Sequence, residues 1–185
     1  MKTLLLKYKS VIKFILTFLI VYIALSFIYK IYLDASEGSK FYPDYITNIV
    51  AGQTEGLLNT FGYESEVVPH QKEPSMKLIV RGKYIARVVE GCNSVSVLIL
   101  FISFVISFKG KLKTTFLFLL AGSVIVYVFN LLRIMILSIG LYHYPWRSEV
   151  LHTVVFPAII YGIVFLLWML WVNRFSNVGR NNGKV

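Results

Sequence analysis

The fold of this chain is decided by the stretch RVVEGCNSVSVLILFISFVISFKGKLK, residues 87–113, in which a polar segment leads into a long apolar run. The run ends in a short link that carries lysines at positions 109, 111 and 113. An apolar run bounded by a short basic link is typical of a membrane span that ends in the cytoplasm. Hydrophobic residues make up 57% of the chain, compared with roughly 45–50% in soluble proteins, so we predict an integral membrane protein.

Three further apolar blocks accompany this one, and together they predict an all-α polytopic membrane protein with about four transmembrane helices. Within a single membrane domain, 1–185, the predicted order is TM1 at 11–33, an external segment at 34–91, TM2 at 92–108, a cytoplasmic loop at 109–113, TM3 at 114–139, an external loop at 140–150, TM4 at 151–172 and a cytoplasmic tail at 173–185. TM2 reaches about 17 residues, the lower bound for a span, only if Cys92 and Asn93 are included. TM3 is long enough to tilt or to project beyond the hydrocarbon.

The first apolar block has two interpretations, a cleaved signal peptide or a retained anchor. Lysines at positions 2, 7, 9 and 13 lie before it or at its start, as in a signal peptide. Its apolar run is longer than the roughly 7–15 residues usual for a signal peptide, and Leu33-Asp34-Ala35 is a poor cleavage site. We therefore interpret TM1 as an anchor that stays in the protein.

The distribution of charge predicts which side of the membrane each loop occupies. Lysines and arginines crowd the N-terminus, the 109–113 link and the C-terminal tail, and short loops rich in these residues stay in the cytoplasm. Both termini are therefore predicted to be cytoplasmic. Eight of the nine acidic residues lie between TM1 and TM2, which agrees with an external position for 34–91. Because the net charge of +10 resides largely in these short loops, it indicates orientation and no nucleic-acid partner.

The external segment is long enough to contain structure of its own. DYITNIVAGQTEGLLNTFGY, residues 44–63, has apolar residues near helical spacing and predicts an amphipathic helix at the membrane interface. SMKLIVRGKYIARVVE, residues 75–90, contains two β-rich runs around Arg81-Gly82-Lys83 and predicts a hairpin. That hairpin would lead directly into Cys92.

Three side chains of different chemistry are predicted at one height near the outer surface. Cys92, the only cysteine, lies at the outer end of TM2, Arg133 lies within TM3, and His152 opens TM4. At about 1.5 Å per helical residue, they stand roughly 24, 28 and 30 Å above the cytoplasmic ends of their spans. An arginine inside a span is costly and indicates a functional site by default. The sequence permits these side chains to meet without showing that they do.

These three residues suit one type of reaction. A thiolate is a nucleophile, and a neighbouring cation lowers the pKa of a thiol. Histidine can take the proton of a thiol and return it to a leaving amine, while arginine can stabilise an oxyanion. The residues therefore predict acyl transfer through a thioester at the outer membrane surface. Asn130 shares a helical face with Arg133 and points to the same site.

Other candidate residues have simpler interpretations. A lone cysteine near a span is more often a packing residue than a nucleophile, and this alternative stays open. A metal site of Cys92, His143 and His152 has no ligand spacing to support it, so we predict no metal and no cofactor. His70 and His143 are predicted on the surface. An outer aromatic belt is predicted at Tyr142, Tyr144 and Trp146, and an inner belt at Trp168 and Trp171.

The sequence around the three site residues resembles a known family. VVEGCNS at 88–94, NLLRI at 130–134 and LHTVVFPAIIYG at 151–162 resemble the exosortase/archaeosortase family, whose signature is the order Cys, Arg, His across successive spans. The short length and the EGCNS motif look closest to the small exosortase F-type members from Bacteroidota. The resemblance covers residues 40–172 and is strongest from 90 to 162.

The resemblance implies a membrane-embedded cysteine transpeptidase in the bacterial inner membrane, with its active site facing the periplasm. It implies Cys92 as the nucleophile, His152 as the proton carrier and Arg133 as the group that stabilises the acyl intermediate, with Asn130 and Glu90 in supporting roles. Its substrates would be exported proteins with a C-terminal motif, a hydrophobic span and a basic tail. A membrane lipid is a candidate acceptor, and a dedicated small membrane protein is a candidate partner. Many members have Cys-Ser-Gly or Cys-Thr-Gly where this chain has Cys-Asn-Ser, which leaves the conformation of the turn open.

A second function class stays open alongside the enzyme. The alternative is a non-catalytic membrane scaffold that helps to export or assemble an envelope component. In that case Arg133 would pair with Asn130, Tyr127 or a carboxylate of a partner, and Cys92 would tolerate replacement by serine. Reactivity of Cys92 that depends on Arg133 or His152 would favour the enzyme.

Overall fold

The computed structural model describes residues 8–36, 41–108 and 110–176, and within them the chain is mostly helical with one small sheet. The elements, in chain order, are α1 (Lys9–Ser36), α2 (Tyr45–Thr60), β1 (Ser65–Pro69), β2 (Met76–Val80), β3 (Lys83–Val88), a 3₁₀ turn (Glu90–Cys92), α3 (Val95–Ser107), α4 (Leu112–His143) and α5 (Pro145–Phe175). The predicted tail beyond residue 176, the N-terminal lysines at positions 2 and 7, and Lys109 of the basic link lie outside the described residues.

Three of the described helices, α1, α4 and α5, are long and apolar enough to cross a membrane. The fourth predicted span, 92–108, is shorter than expected because α3 begins only at Val95 and has 13 residues. That is about 20 Å of helix, below the roughly 17 residues needed to span. Ser94 causes the late start, since its φ of 66° is left-handed and cannot continue a right-handed helix. A count of four spans therefore stays a prediction.

The predicted hairpin is confirmed, and a third strand extends it. β2 and β3 pair antiparallel, and β1 pairs antiparallel with β2, so the strand order is β1-β2-β3. Arg81 and Gly82 connect β2 to β3 with φ values of 48° and 74°. Two successive residues with positive φ form the type of turn whose twist matches an antiparallel hairpin. β1 was not predicted, because its five residues end in a proline and carry no clear alternation.

The helix predicted in the external segment is present as α2, but its partner is different from the predicted one. The apolar face packs on α4 and on the sheet, so it is covered by protein instead of facing a membrane interface. The buried positions of α2 are Thr47, Val50, Ala51, Thr54 and Leu58. Phe61, which the helical pattern placed on the same face, is 61% exposed just beyond the helix.

The C-terminal half of α4 supports the segment that was predicted to be external. Ile134 packs in one cluster with Val50 and Val88, and Met135 packs in another with Leu58 and Leu78. α4 has 32 residues, or about 48 Å, which exceeds the roughly 30 Å hydrocarbon thickness. The length of α4 beyond the hydrocarbon thickness, which was predicted for TM3, therefore lets its C-terminal half pack against α2 and the sheet.

The N-terminal half of α4 packs with α3 and α5 around large aromatic side chains. Phe101 lies directly against Gly122, where an added Cβ would come within 2.3 Å of the ring. Trp171 is fully buried in the same cluster, and the ring of Trp168 stacks on Phe104 at 4.2 Å. The predicted inner aromatic belt is therefore wrong for Trp171, because its indole fills the space between helices and does not face the membrane surface.

Candidate active site

Cys92 lies at the junction between the sheet and α3. β3 ends at Val88, and the chain then forms a 3₁₀ turn in which the Cys92 N–H donates to the Val89 carbonyl over 2.8 Å. The turn is followed by Ser94 and then by the first residue of α3, Val95. The thiol is half-buried and unpaired with any other cysteine, since the chain has none. A strand, a turn and a helix thus present one accessible thiol at a defined point.

Asn93 ties this turn to two other elements. Its side chain is fully buried. Its amide donates to the Tyr29 hydroxyl of α1 over 2.8 Å and to the Thr47 hydroxyl of α2 over 3.1 Å, and its carbonyl accepts from the Val95 N–H over 2.9 Å. An asparagine before a helix is a sequence signal for a cap, but its contacts with Tyr29 and Thr47 carry no sequence signal and were missed.

Ser94 stands where many members of the family that this sequence resembles have glycine, and the structure shows which conformation the turn takes with serine there. It takes the left-handed conformation, φ 66° and ψ 0°, which glycine adopts without steric cost. Its hydroxyl is buried and has no hydrogen-bond partner among the described residues. The turn therefore forms with serine in a conformation that favours glycine.

Asn130 and Arg133 approach the turn from α4. The Asn130 amide donates to the Cys92 backbone carbonyl over 2.8 Å, and Asn130 is fully buried. Arg133, one helical turn further on, is 7% exposed and lies within electrostatic range of Cys92. A residue of α4 thus bonds directly to the Cys92 turn, a contact that the sequence permitted without showing.

The Arg133 guanidinium has an unusual environment for a buried charge. Within the described residues it makes no hydrogen bond and no ion pair, and its Nε is buried without a partner. Its central carbon lies 3.8 Å from the centroid of the Phe156 ring. Neither side chain that the sequence offered as its partner bonds to it: Tyr127 donates to Gln53 over 2.6 Å, and Asn130 donates its amide to Cys92 while its Oδ1 stays buried without a partner among the described residues.

His152 approaches the same ring from within α5. Its imidazole stacks on Phe156 with a centroid distance of 5.5 Å and an interplanar angle of 19°. The residue is exposed, and within the described part of the chain no hydrogen bond joins it to Cys92 or Arg133. Phe156 therefore contacts both predicted partners of the thiol, and sequence reasoning missed it because an apolar residue in a span has no distinguishing pattern.

The remaining candidate residues lie outside this cluster. Glu90 is exposed, and its backbone carbonyl accepts from the Asn93 N–H over 3.2 Å. His143, at the end of α4, lies 3.0 Å from the Tyr63 hydroxyl, and His70 belongs to the loop between β1 and β2. Within the ranges that the structure describes, no three His, Cys, Asp or Glu residues are grouped as metal ligands would be.

The cluster has a clear chemical capability. A buried guanidinium without an anionic partner is costly, so it favours any negative charge that forms beside it. A thiolate on Cys92, or an oxyanion on a carbonyl that Cys92 attacks, would supply such a charge. The site therefore suits a thiol nucleophile whose charged states are stabilised by a cation held in an apolar setting.

Comparison with known proteins gives one match. The family model described as "Transmembrane exosortase" matches residues 3–173, which include the turn at Cys92, the outer half of α4 and nearly all of α5. No curated protein and no solved structure matches the chain. The narrower resemblance to small F-type members from Bacteroidota stays a prediction.

Proposed function

Since this chain belongs to the transmembrane exosortase family, a group of multi-pass membrane proteins, we propose that it is a membrane-embedded cysteine transpeptidase. Its substrates are exported proteins that carry a C-terminal motif, a hydrophobic span and a basic tail. The enzyme cleaves near the motif and transfers the new carboxyl end to an acceptor. The observation that carries this proposal is the position of Cys92 beside Arg133, a buried cation with no anionic partner among the described residues.

The proposed reaction assigns one role to each of three side chains. The Cys92 thiolate attacks the carbonyl carbon of the scissile peptide bond, and the bond to nitrogen breaks to leave a thioester. His152 accepts the proton of the Cys92 thiol as a general base and delivers it to the departing amine as a general acid. Arg133 stabilises the oxyanion that forms during the attack. An acceptor nucleophile then attacks the thioester and releases the free thiol.

The exposed position of His152 fits this role better than a structural one. A general acid must reach a group of the substrate, and hydrogen bonds to catalytic side chains are often absent until substrate binds. Its imidazole is held against Phe156, the ring that also contacts Arg133. A bound peptide whose scissile bond lies at Cys92 would thus have both side chains nearby.

The proposed location is the bacterial inner membrane, with the site facing the periplasm. The basic link before α4 and the acidic external segment support this orientation. Cys92 lies where the external sheet meets the helical bundle. A substrate anchored by its own C-terminal span would present the residues just outside the membrane at this height.

Quantitative proteomics of the native host tests the proposal. Strains with the wild-type chain, Cys92→Ala and the control Ser96→Ala, at equal protein levels, are compared for the C-terminal peptides of envelope proteins. Ser96 is an exposed residue in the first turn of α3, four positions after Cys92. We expect a set of proteins with a shared motif to retain the hydrophobic tail in Cys92→Ala alone. Unchanged C-termini in Cys92→Ala, with normal surface composition, would favour the scaffold instead.

A further inference from the structure

We propose that Phe156 is a positioning residue that holds the Arg133 guanidinium beside the Cys92 thiol and orients the His152 imidazole. Its ring is the one side chain that the structure brings into contact with both predicted partners of the thiol, among the described residues. The catalytic consequence rests on the proposed function, whereas the placement of Arg133 by Phe156 does not. The two can therefore be tested separately.

The contact with Arg133 is close, and within the described residues no hydrogen bond or ion pair competes with it. The guanidinium carbon stands 3.8 Å from the ring centroid, well inside the about 6 Å within which a cation is attracted to an aromatic face. Arginine has a long, flexible side chain, so a buried guanidinium without ion pairs needs another restraint. A ring face supplies one without neutralising the charge, because its attraction is electrostatic and involves no proton transfer. Arg133 thus stays available to a negative charge at Cys92.

The contact with His152 lies across a local irregularity of α5. Residues 152 and 156 are four positions apart and share a helical face. Between them the helix forms a π turn, Leu151–Val155, closed by the Phe156 N–H donating to the Leu151 carbonyl. Pro157 follows and has no N–H, so the regular helical hydrogen bond at that position cannot form. The sequence FP therefore accounts for a π turn at this point, and such turns are common at functional sites.

An aromatic ring is required by this geometry, and an aliphatic residue is not equivalent. Leucine would bury similar apolar surface but has no electron-rich face for the guanidinium and no plane for the imidazole. Tyrosine retains the ring and is the conservative replacement. Phe165, on the same helix, is 56% exposed and makes no described contact with the site, so Phe165→Leu controls for loss of an aromatic residue from α5.

The experiment measures the charge beside Cys92 directly. Because Cys92 is the only cysteine, the full chain in proteoliposomes can be modified at one thiol. Its reaction rate is measured with two methanethiosulfonates of similar size, one with a negative sulfonate and one with a positive trimethylammonium group. The rate with the negative reagent divided by the rate with the positive reagent reports the positive charge near the thiol. This ratio does not change when access to the thiol changes equally for both reagents. Arg133→Gln should lower the ratio about tenfold, as expected for removing one charge that interacts electrostatically with the thiol.

The result for Phe156 decides the proposal. We expect Phe156→Leu to lower the ratio at least about threefold, with Phe156→Tyr and Phe165→Leu close to wild type. A wild-type ratio in Phe156→Leu would overturn the proposal, and so would a wild-type ratio in Arg133→Gln, since the guanidinium would then not act on Cys92. A lowered ratio in Phe156→Leu would support the placement of Arg133 by Phe156. If, in addition, the C-termini of envelope proteins were unchanged in the Cys92→Ala strain, the proposed function would be contradicted while that placement would stand.

Discussion

The side-chain amide of Asn130 donates a 2.8 Å hydrogen bond to the backbone carbonyl of Cys92, 38 positions earlier in the chain. This bond joins the turn at the end of the sheet to α4, the helix that carries Arg133. Because Asn130 and Arg133 lie one helical turn apart, the bond also fixes the height of the guanidinium relative to the thiol. The site is therefore held by a backbone contact, and Cys92 can react without breaking it.

Replacement of Asn130 by leucine should destabilise the protein and disturb the site. The Cys92 carbonyl would lose its donor in a buried setting, which costs about 1–3 kcal/mol. We expect a lower unfolding temperature in detergent and slower modification of Cys92. Ser138→Ala is the matched control, because Ser138 is also buried on α4 but bonds only to Ile134 within its own helix. Equal decreases in unfolding temperature and in the rate of Cys92 modification in the two variants would show that the bond to Cys92 contributes no more than an ordinary buried hydrogen bond.

The contact between Tyr29 and Asn93 predicts that α1 remains in the mature protein. Removal of α1 would deprive the buried Asn93 amide of one partner, and Tyr29→Phe should destabilise the folded state by about 1 kcal/mol. Tyr22→Phe, at a position of α1 that is 38% exposed, should have less effect. Intact mass spectrometry of the purified chain should give the full sequence with α1. A mass that lacks α1 in an active preparation would refute this prediction.

Ser94→Gly should stabilise the protein. Glycine takes a φ of 66° without the roughly 1–2 kcal/mol steric cost of an L-residue, and it removes a buried hydroxyl with no described partner. The greater entropy of glycine in the unfolded chain offsets part of this gain, by about 0.4–1 kcal/mol. Thermal unfolding should show a higher midpoint for Ser94→Gly, while Ser96→Gly, inside α3, should show a lower one. A lower midpoint for both would show that the left-handed turn carries no strain.

Gly122→Ala should loosen the packing of α3 on α4. The new Cβ would meet the Phe101 ring at 2.3 Å, and such overpacking costs about 1–3 kcal/mol. Gly162→Ala has open space around its Cβ and should be neutral or stabilising. Adding Phe101→Leu to Gly122→Ala should recover part of the loss, which a double-mutant cycle of unfolding measurements detects. If the losses of unfolding free energy from Gly122→Ala and Phe101→Leu simply added in the double variant, the two residues would not be in contact.

The predicted orientation can be tested with single cysteines in a Cys92→Ser background. Asn59→Cys, beside the sheet, should react with a membrane-impermeant thiol reagent in intact spheroplasts. Leu112→Cys, 89% exposed at the start of α4, should react only after permeabilisation. The opposite pattern would place the Cys92 turn in the cytoplasm, where exported substrates could not reach it.

Some features of this protein followed from local sequence alone. Apolar blocks identified α1, α4 and α5, because the length of an apolar helix is set by the thickness of the bilayer. The hairpin was predictable because Arg81-Gly82 and the flanking β-rich runs act over a few residues. Cys92 and Arg133 stood out because a lone thiol and a charge in a span are rare, and rarity is visible without a structure.

Other features were decided only by tertiary packing. The late start of α3 depends on the conformation of Ser94, and the burial of Trp171 depends on the space between three helices. The bond between Asn93 and Tyr29 joins positions 64 apart, and no periodic pattern encodes a contact over that separation. Phe156 is the clearest case: in sequence it is one apolar residue among many in a span, and its contact with Arg133 exists because α4 and α5 pack together. Sequence patterns report the environment along one helix, whereas a site built from several helices is defined by which faces meet.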